Sequence, residues 1–258
     1  MQVRVLSPPP FPFSTARSLS DIHISSVRPL SRSGTVEISP VTLEGQHVRL
    51  EPLSVAHEEA LIAAACDGEL WNSTVTIVPT RASMAAYIQA ALEGQAKGTE
   101  LPFVIIRKTS GAVAESGAPA RASARALDTR AIGDTGEVVG TTRFYEIVPA
   151  DRRVAIGYTW LSKSAQRTAV NTESKLLLLT HAFEHWQCNR VEFITDLLNQ
   201  QSRAAILRLG AKEEGILRRH MIMPNCRIRD SVCFSIIKEE WPEVKARLAA
   251  RVGSVVPP

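Results

Sequence analysis

The sequence predicts an α/β protein of the α+β type, with one mixed, mostly antiparallel, twisted sheet of about seven strands and flanking helices. Three observations support this fold class. Short segments alternate between polar and apolar residues, as half-buried strands do. Longer segments repeat their apolar residues at helical spacing. Strands and helices are interspersed along the chain without an internal repeat, which is typical of one mixed domain.

The elements follow one another in the order strand, two helices, three strands, helix, strand, helix, two strands and a short closing helix. Ser54 is a typical residue to cap the first helix, and Gly98 and Gly210 are typical helix terminators. The predicted strands are 47–52, 101–108, 137–147, 153–161, 190–196, 213–219 and 230–237. The predicted helices are 54–66, 83–97, 172–186, 199–209 and 241–251.

The chain of 258 residues is predicted to hold one folded domain with appendages. Residues 1–40 are rich in Ser, Pro and Arg and are predicted to form a disordered tail. Two alternatives are an organelle transit peptide, which is typically poor in acidic residues, and an N-terminus assigned too far upstream. The domain is predicted to span 41–251. Within it, 109–135 lacks periodicity and indicates a surface insertion, and 252–258 indicates a C-terminal tail.

Composition restricts the classes of function. No segment reaches the roughly 18 apolar residues of a membrane-spanning helix, so we expect a soluble protein without a membrane partner. The net charge of +4 suits phosphate-bearing ligands, but no dense basic run with interleaved aromatic residues indicates nucleic-acid binding. The four cysteines form no C-x-x-C pair and indicate reduced thiols in a cytoplasmic protein.

A phosphate-binding turn is predicted at 164–171, between the strand that ends at residue 161 and the helix that follows. The first N–H groups of a helix lack internal partners and carry partial positive charge, which suits a pyrophosphate. Thr168 and Ala169 are small enough for phosphates to approach the backbone. Arg167 adds positive charge, and Asn171 or Thr172 is predicted to cap the helix.

At these residues the chain resembles the GNAT superfamily of N-acetyltransferases, and within it the RimJ/RimL-like branch. The coenzyme A loop of that family has the form Gln/Arg-x-x-Gly-x-Gly/Ala, and it corresponds here to Gln166, Arg167, Thr168, Ala169, Val170 and Asn171. The resemblance extends through 156–161, 199–202, 209–211 and 214–215. Ala169 departs from the usual glycine, which would cost about 1 kcal/mol if that position required a positive φ.

The resemblance implies a fold and a binding site. The fourth and fifth predicted strands should splay apart, and acetyl-CoA should lie in the gap as the cosubstrate. Main-chain groups of Thr159, Trp160 and Leu161 would face the pantetheine and the thioester oxygen, although Trp160 could equally pack in the core. Asn199 would bind the pantetheine arm or cap its helix, and Arg203 would contact a phosphate or lie at the surface.

The catalytic residues are harder to assign. By resemblance, Ser202 would help to protonate the leaving thiolate. The candidates for the general base are Glu146, Glu192 and His220. Of these, His220 has an ordinary pKa near neutrality.

A rival motif, H-x-x-E-H at His181, Glu184 and His185, resembles an inverted zinc-peptidase signature. Two histidines at i and i+4 can bind zinc, with Glu184 as the base. Helical geometry predicts instead that these three residues face solvent, opposite Leu179, Phe183 and Trp186, so no metal is expected.

The sequence therefore predicts an enzyme that transfers acetyl from acetyl-CoA to a primary amine by direct attack. The acceptor would be a protein N-terminal amine or a small molecule, and a homodimer is possible. The alternative from another class is an acyl-CoA-binding module that has lost catalysis, suggested by Ala169 and by the missing obvious base.

Overall fold

The computed structural model describes residues 38–108 and 136–253. The insertion predicted at 109–135 lies outside these residues. So do the N-terminal segment before residue 38 and the residues after 253.

Within the described residues, eight strands form one open sheet in the order β1-β2-β3-β4-β5-β6-β8-β7. Neighbouring strands are antiparallel except for β5 and β6, which are parallel. The mixed, mostly antiparallel sheet is thus confirmed, with one strand more than predicted. The additional strand is β1, whose two residues are too few to show a period. The strands are β1 (Leu43–Glu44), β2 (Val48–Pro52), β3 (Leu101–Lys108), β4 (Gly136–Val148), β5 (Arg153–Leu161), β6 (Arg190–Asp196), β7 (Lys212–Ile222) and β8 (Ile228–Ile237).

Five α-helices lie among the described residues, and they cover both faces of the sheet. They are α1 (Glu58–Cys66), α2 (Met84–Ala96), α3 (Ala169–Thr180), α4 (Gln200–Leu209) and α5 (Trp241–Gly253). The side chains of β3 alternate between two cores. Val104 and Ile106 pack with α1 and α2, whereas Phe103 and Ile105 pack with α3, α4 and α5. This alternation follows from the period of two in a strand.

The helix predicted at 172–186 differs from the prediction at both ends. It begins three residues earlier, because Thr168 adopts an extended conformation and its hydroxyl accepts a hydrogen bond from the Val170 N–H. The predicted cap at Asn171 or Thr172 is therefore wrong. The α-helix ends at Thr180 and continues as a π-helical turn, His181–His185. The apolar side was predicted correctly, since Leu179, Phe183 and Trp186 are all buried.

Candidate active site

The sheet opens between β5 and β6. The two strands pair only over three residues, from Arg153 opposite Arg190 to Ala155 opposite Glu192. Beyond this point β5 continues to Leu161 alongside β4, while β6 continues to Asp196 alongside β8. The main chain of the second half of β5 therefore has no strand partner on the β6 side. This is the splay expected between the fourth and fifth predicted strands.

A bulge shapes β5 at the splay. Its register with β4 jumps from Gly157 opposite Arg143 to Trp160 opposite Thr141, and Tyr158 takes the left-handed conformation with φ of 50°. Such bulges bend a strand and re-aim its side chains. Thr159 lies inside the bulge.

The side chains of Trp160 and Leu161, the residues after the bulge, are in the core. Trp160 packs with α1 and α2, and its buried indole N–H has no hydrogen-bond partner in the described part of the chain. Leu161 packs on the other face of the sheet. Packing thus occupies the side chains of Trp160 and Leu161, and only the main chain of these two residues remains to face the splay.

The predicted phosphate turn connects β5 to α3. Gln166 donates from Nε2 to the carbonyl of Leu161 at 3.0 Å, and Thr168 donates from Oγ1 to the carbonyl of Ala165 at 2.7 Å. These bonds hold the turn against the end of β5. The side chains of Ala169 and Val170 are buried beneath the start of α3, and Asn171 is half-buried in its first turn. The Val170 N–H is bonded to the Thr168 hydroxyl, and the first turn of a helix leaves further N–H groups without intrahelical partners, which suits a pyrophosphate.

The strained residue of this turn is Arg167 and not Ala169. Ala169 is the first helical residue of α3 and has a negative φ, so its replacement of the family's glycine causes no strain. Arg167 is exposed and has φ of 62°. Alanine in place of glycine at position 169 therefore gives no conformational reason to expect weaker binding of coenzyme A.

We expect Arg167→Gly to have opposite effects on stability and on ligand affinity. Glycine relieves the left-handed strain and should raise the free energy of unfolding by up to about 1 kcal/mol. Loss of the cation should weaken coenzyme A binding about fivefold, since a charge-assisted contact to phosphate is lost. Thermal unfolding and calorimetry measure the two effects. Arg167→Ala is the control, because it removes the charge without relieving the strain. Equal affinity of the parent protein, Arg167→Gly and Arg167→Ala for coenzyme A would show that Arg167 does not face the phosphates.

The side chains of Asn199 and Arg203 already have protein partners. Asn199 caps α4, its Oδ1 accepting from the Ser202 N–H at 2.9 Å, and its Nδ2 donates to Thr76 Oγ1 at 3.0 Å. Arg203 lies 3.4 Å from Glu213 and donates to the carbonyl of Leu197. The capping alternative for Asn199 describes its contact with Ser202, whereas Arg203 is half-buried and does not match the surface position given as its alternative. Ser202 is half-buried in the first turn of α4.

Three candidate bases differ in their partners. Glu192 forms an ion pair with Arg190 at 2.8 Å and lies 3.8 Å from Arg153. Nδ1 of His220 lies 3.0 Å from Ser231 Oγ. Glu146 is exposed and forms no hydrogen bond or ion pair with the described residues. Its φ of 48° marks a bulge in β4 opposite the segment of β5 that pairs with β6. Residues in this conformation are often held there for function.

His220 lies in an open groove of about 750 Å³ on β7 and β8. The groove has apolar and charged walls, formed by Ile216, Leu217, Arg218, Arg219, His220 and Asp230. It is separate from the turn at 166–171. Of the predicted site residues, only His220 lines this groove.

The H-x-x-E-H motif does not form a metal site. Glu184 accepts hydrogen bonds from Trp241 Nε1 at 2.8 Å and from Lys245 Nζ at 2.6 Å, and these bonds lower its pKa. His185 is exposed, but His181 is half-buried, its ring centroid 4.9 Å from that of Trp186. The prediction that His181 faces solvent is wrong, because its ring packs against Trp186 and Phe144. No cluster of three metal-binding side chains occurs within residues 38–108 and 136–253.

A mixed open sheet with a splay beside a helix N-terminus defines the GNAT class of acyltransferases. A family model described as the acetyltransferase (GNAT) domain matches residues 47–212. The chain therefore belongs to the GNAT acetyltransferase family. In the part of the chain that the structure describes, no helix is both long and apolar enough to cross a membrane.

Similar proteins include members of the RimJ/RimL-like branch. The Bacillus subtilis (strain 168) protein YdaF, provisionally named a ribosomal N-acetyltransferase, is 32% identical over 106 residues. That match covers 41% of this chain and 57% of YdaF, so it spans little more than half of this curated relative.

Two solved structures share the fold. A GCN5-related N-acetyltransferase from Brucella melitensis is 27% identical with a TM-score of 0.66, and the match covers 83% of this chain and 86% of that one. Mycobacterium smegmatis RimJ, solved in complex with CoA-disulfide, is 22% identical with a TM-score of 0.63, covering 82% of this chain and 95% of RimJ. The second likeness shows the fold alone.

Proposed function

We propose that the protein transfers the acetyl group of acetyl-CoA to a primary amine by direct attack of the neutral amine on the thioester. The observation that carries this proposal is the splay between β5 and β6, since β5 leads through the turn at 162–168 to the N-terminus of α3. Phosphates bound at Arg167–Val170 would let the pantetheine arm extend into the splay. Main-chain groups of Thr159–Leu161 would then lie along it.

The acceptor is proposed to be a protein N-terminal amine. This follows from the likeness to YdaF and from the groove on β7 and β8, which is open enough for a chain end. The loop with Thr74 and Thr76 is bonded to the residues just before β8 and just before α4. Arg227 donates to the Thr74 carbonyl at 2.9 Å, and Asn199 donates to Thr76. Arg227 also forms an ion pair with buried Asp196.

The test is release of free thiol from acetyl-CoA in the presence of an amine panel. The panel contains peptides with free and with blocked N-termini, and small polyamines. Thiol release that requires a free peptide N-terminus supports the proposal. Coenzyme A binding without thiol release for any amine supports the alternative, an inactive acyl-CoA-binding module. Absence of coenzyme A binding would contradict both.

We propose Glu146 as the general base, because its carboxylate has no partner among residues 38–108 and 136–253, while that of Glu192 is held by Arg190.

Glu146→Gln is therefore expected to lower kcat about 100-fold, a usual contribution of acid–base catalysis. The affinity for acetyl-CoA should not change, because the phosphate turn is untouched. Steady-state kinetics with the best peptide measure both quantities. Glu192→Gln is the matched carboxylate control, and a larger loss in that variant than in Glu146→Gln would reverse the assignment. His220→Gln tests the remaining candidate in the same assay.

A further inference from the structure

Lys175 is a buried amine in the middle of α3, and its residue is only 6% exposed. Its Nζ donates to Thr159 Oγ1 at 2.6 Å and to Thr142 Oγ1 at 3.2 Å. The two hydroxyls lie 2.8 Å from each other. Lys175 forms no ion pair with a carboxylate in the described part of the chain. A buried cation without a counter-ion is costly, so this arrangement needs a reason beyond stability.

The surroundings of Lys175 explain its ionisation. Burial alone lowers its pKa to about 7. The nearest acid on the same helix, Glu173, is bound to the main chain of residues 46–48. On β4, Arg143 is paired with Glu100 at 2.6 Å. The buried residues of α5, which packs against α3, are apolar. The amine is therefore neutral or charged in comparable amounts near pH 7.

The position of Thr159 connects this amine to the proposed thioester site. Thr159 is half-buried and lies in the β5 bulge, beyond the last residue that pairs with β6. Lys175 lies six residues after the first residue of α3, which is about 9 Å along the helix from the proposed phosphate site. Lys175 and Thr159 are thus on the side of the sheet from which coenzyme A would enter.

We propose that Lys175 is a positioning residue that supplies, through the Thr159 hydroxyl, the proton that the leaving thiolate takes up. This inference rests on the proposed acetyl transfer. When the amine attacks, its nitrogen forms the new bond to the acetyl carbon and loses a proton to the base. The carbon–sulfur bond breaks, and its electron pair goes to sulfur. The Thr159 hydroxyl gives its proton to sulfur and takes one from the Lys175 ammonium, which regains it from solvent.

Thr142 and Thr159 provide a matched pair of variants. Each loses one hydrogen bond to Lys175 when changed to valine, and each keeps its volume. Thr159 lies on β5 at the edge of the splay, whereas Thr142 lies opposite the bulge on β4. Thr159→Val should therefore lower kcat about 50-fold, and Thr142→Val less than about threefold. The KM for acetyl-CoA should remain close to that of the parent protein in both variants. Thr159→Ser should restore most of kcat, because it retains the hydroxyl.

The pH profile separates proton supply from packing. The ratio of parent kcat to Thr159→Val kcat should be largest below pH 7 and should fall as pH rises, because Lys175 loses its proton above a pKa of about 7. Ionisation of the acceptor is common to both proteins and cancels in the ratio. In the Lys175→Met background, adding Thr159→Val should lower kcat by only a small factor, and this factor should not depend on pH, because the acid is already absent.

A measurement without an acceptor gives a second readout. Coenzyme A is strongly anionic, so its binding should raise the proton affinity of Lys175. Calorimetry with coenzyme A in two buffers of different ionisation enthalpy, slightly above pH 7, should detect this proton uptake in the parent protein. Uptake should be lost in Lys175→Met and kept in Thr159→Val.

Equal losses of kcat in the two valine variants, or a ratio independent of pH, would overturn the role of Lys175 while leaving acetyl transfer intact. Unchanged proton uptake in Lys175→Met would do the same. If the parent protein neither binds coenzyme A nor releases thiol, the proposed function itself fails, and this inference fails with it.

Discussion

Glu173→Ala is expected to lower the free energy of unfolding by about 4 kcal/mol, because it leaves several main-chain donors near the core without an acceptor. The Glu173 carboxylate accepts from the N–H groups of Gln46, His47 and Val48 at 2.7, 2.6 and 2.8 Å. It thereby joins α3 to the turn between β1 and β2. Gly45 allows this approach, since a Cβ there would lie 2.6 Å from the Glu173 carboxyl carbon.

Denaturant unfolding followed by circular dichroism measures this loss. Glu173→Gln keeps one acceptor oxygen and should show an intermediate loss. Glu243→Ala is the control for removing a helical glutamate, because that side chain is 87% exposed and should change stability by less than about 0.5 kcal/mol. A similar small effect for Glu173→Ala would mean that water replaces the carboxylate without cost.

The second large effect is expected for Gly140→Ala, at roughly 3 kcal/mol or more of lost stability, because overpacking there meets main chain that must move. A Cβ on Gly140 would lie 2.0 Å from the Trp160 carbonyl oxygen and 3.0 Å from Leu161 Cα. The φ of Gly140 is 157°, which side chains rarely adopt. Relief of the clash would push the end of β5 away from β4.

This movement should also change the proposed ligand site, since Trp160 and Leu161 border the splay. We therefore expect weaker coenzyme A binding by Gly140→Ala at a temperature where the variant is still folded. Thermal unfolding and calorimetry measure the two effects. Gly253→Ala is the matched control, because a Cβ there meets no atom within 4 Å. If Gly140→Ala matched this control in stability, the close approach of β4 and β5 would be disproved.

Local pattern predicted the elements well where they are long and regular. The bounds of β3, β5 and β6 agree with the prediction, because alternation and apolar runs are continuous there. The start of α3 was displaced by three residues, because Asn171, Thr172 and Thr168 are all suitable caps and only the turn conformation selects among them. The π-helical turn at His181–His185 leaves no signal in helical periodicity.

Function-bearing residues were predictable in part. Motif order was sufficient to identify the family, and the small residues between a strand and a helix predicted the phosphate turn. Lys175 and Glu173 were missed, because a charged residue in an amphipathic helix is normally expected at the surface. A signal was present, since both occur in the segment Glu173–Leu179, whose apolar residues already require a buried face.

The sequence by itself determined the fold class and the order of the long elements, because these depend on residue periodicity and on caps a few positions apart. Only the tertiary structure decided which polar side chains are already engaged. Asn199 is bonded to Thr76, 123 residues away in the chain, and Glu173 to Val48 across 125 residues. Such pairings arise when strands register and helices pack, and no local spacing encodes them.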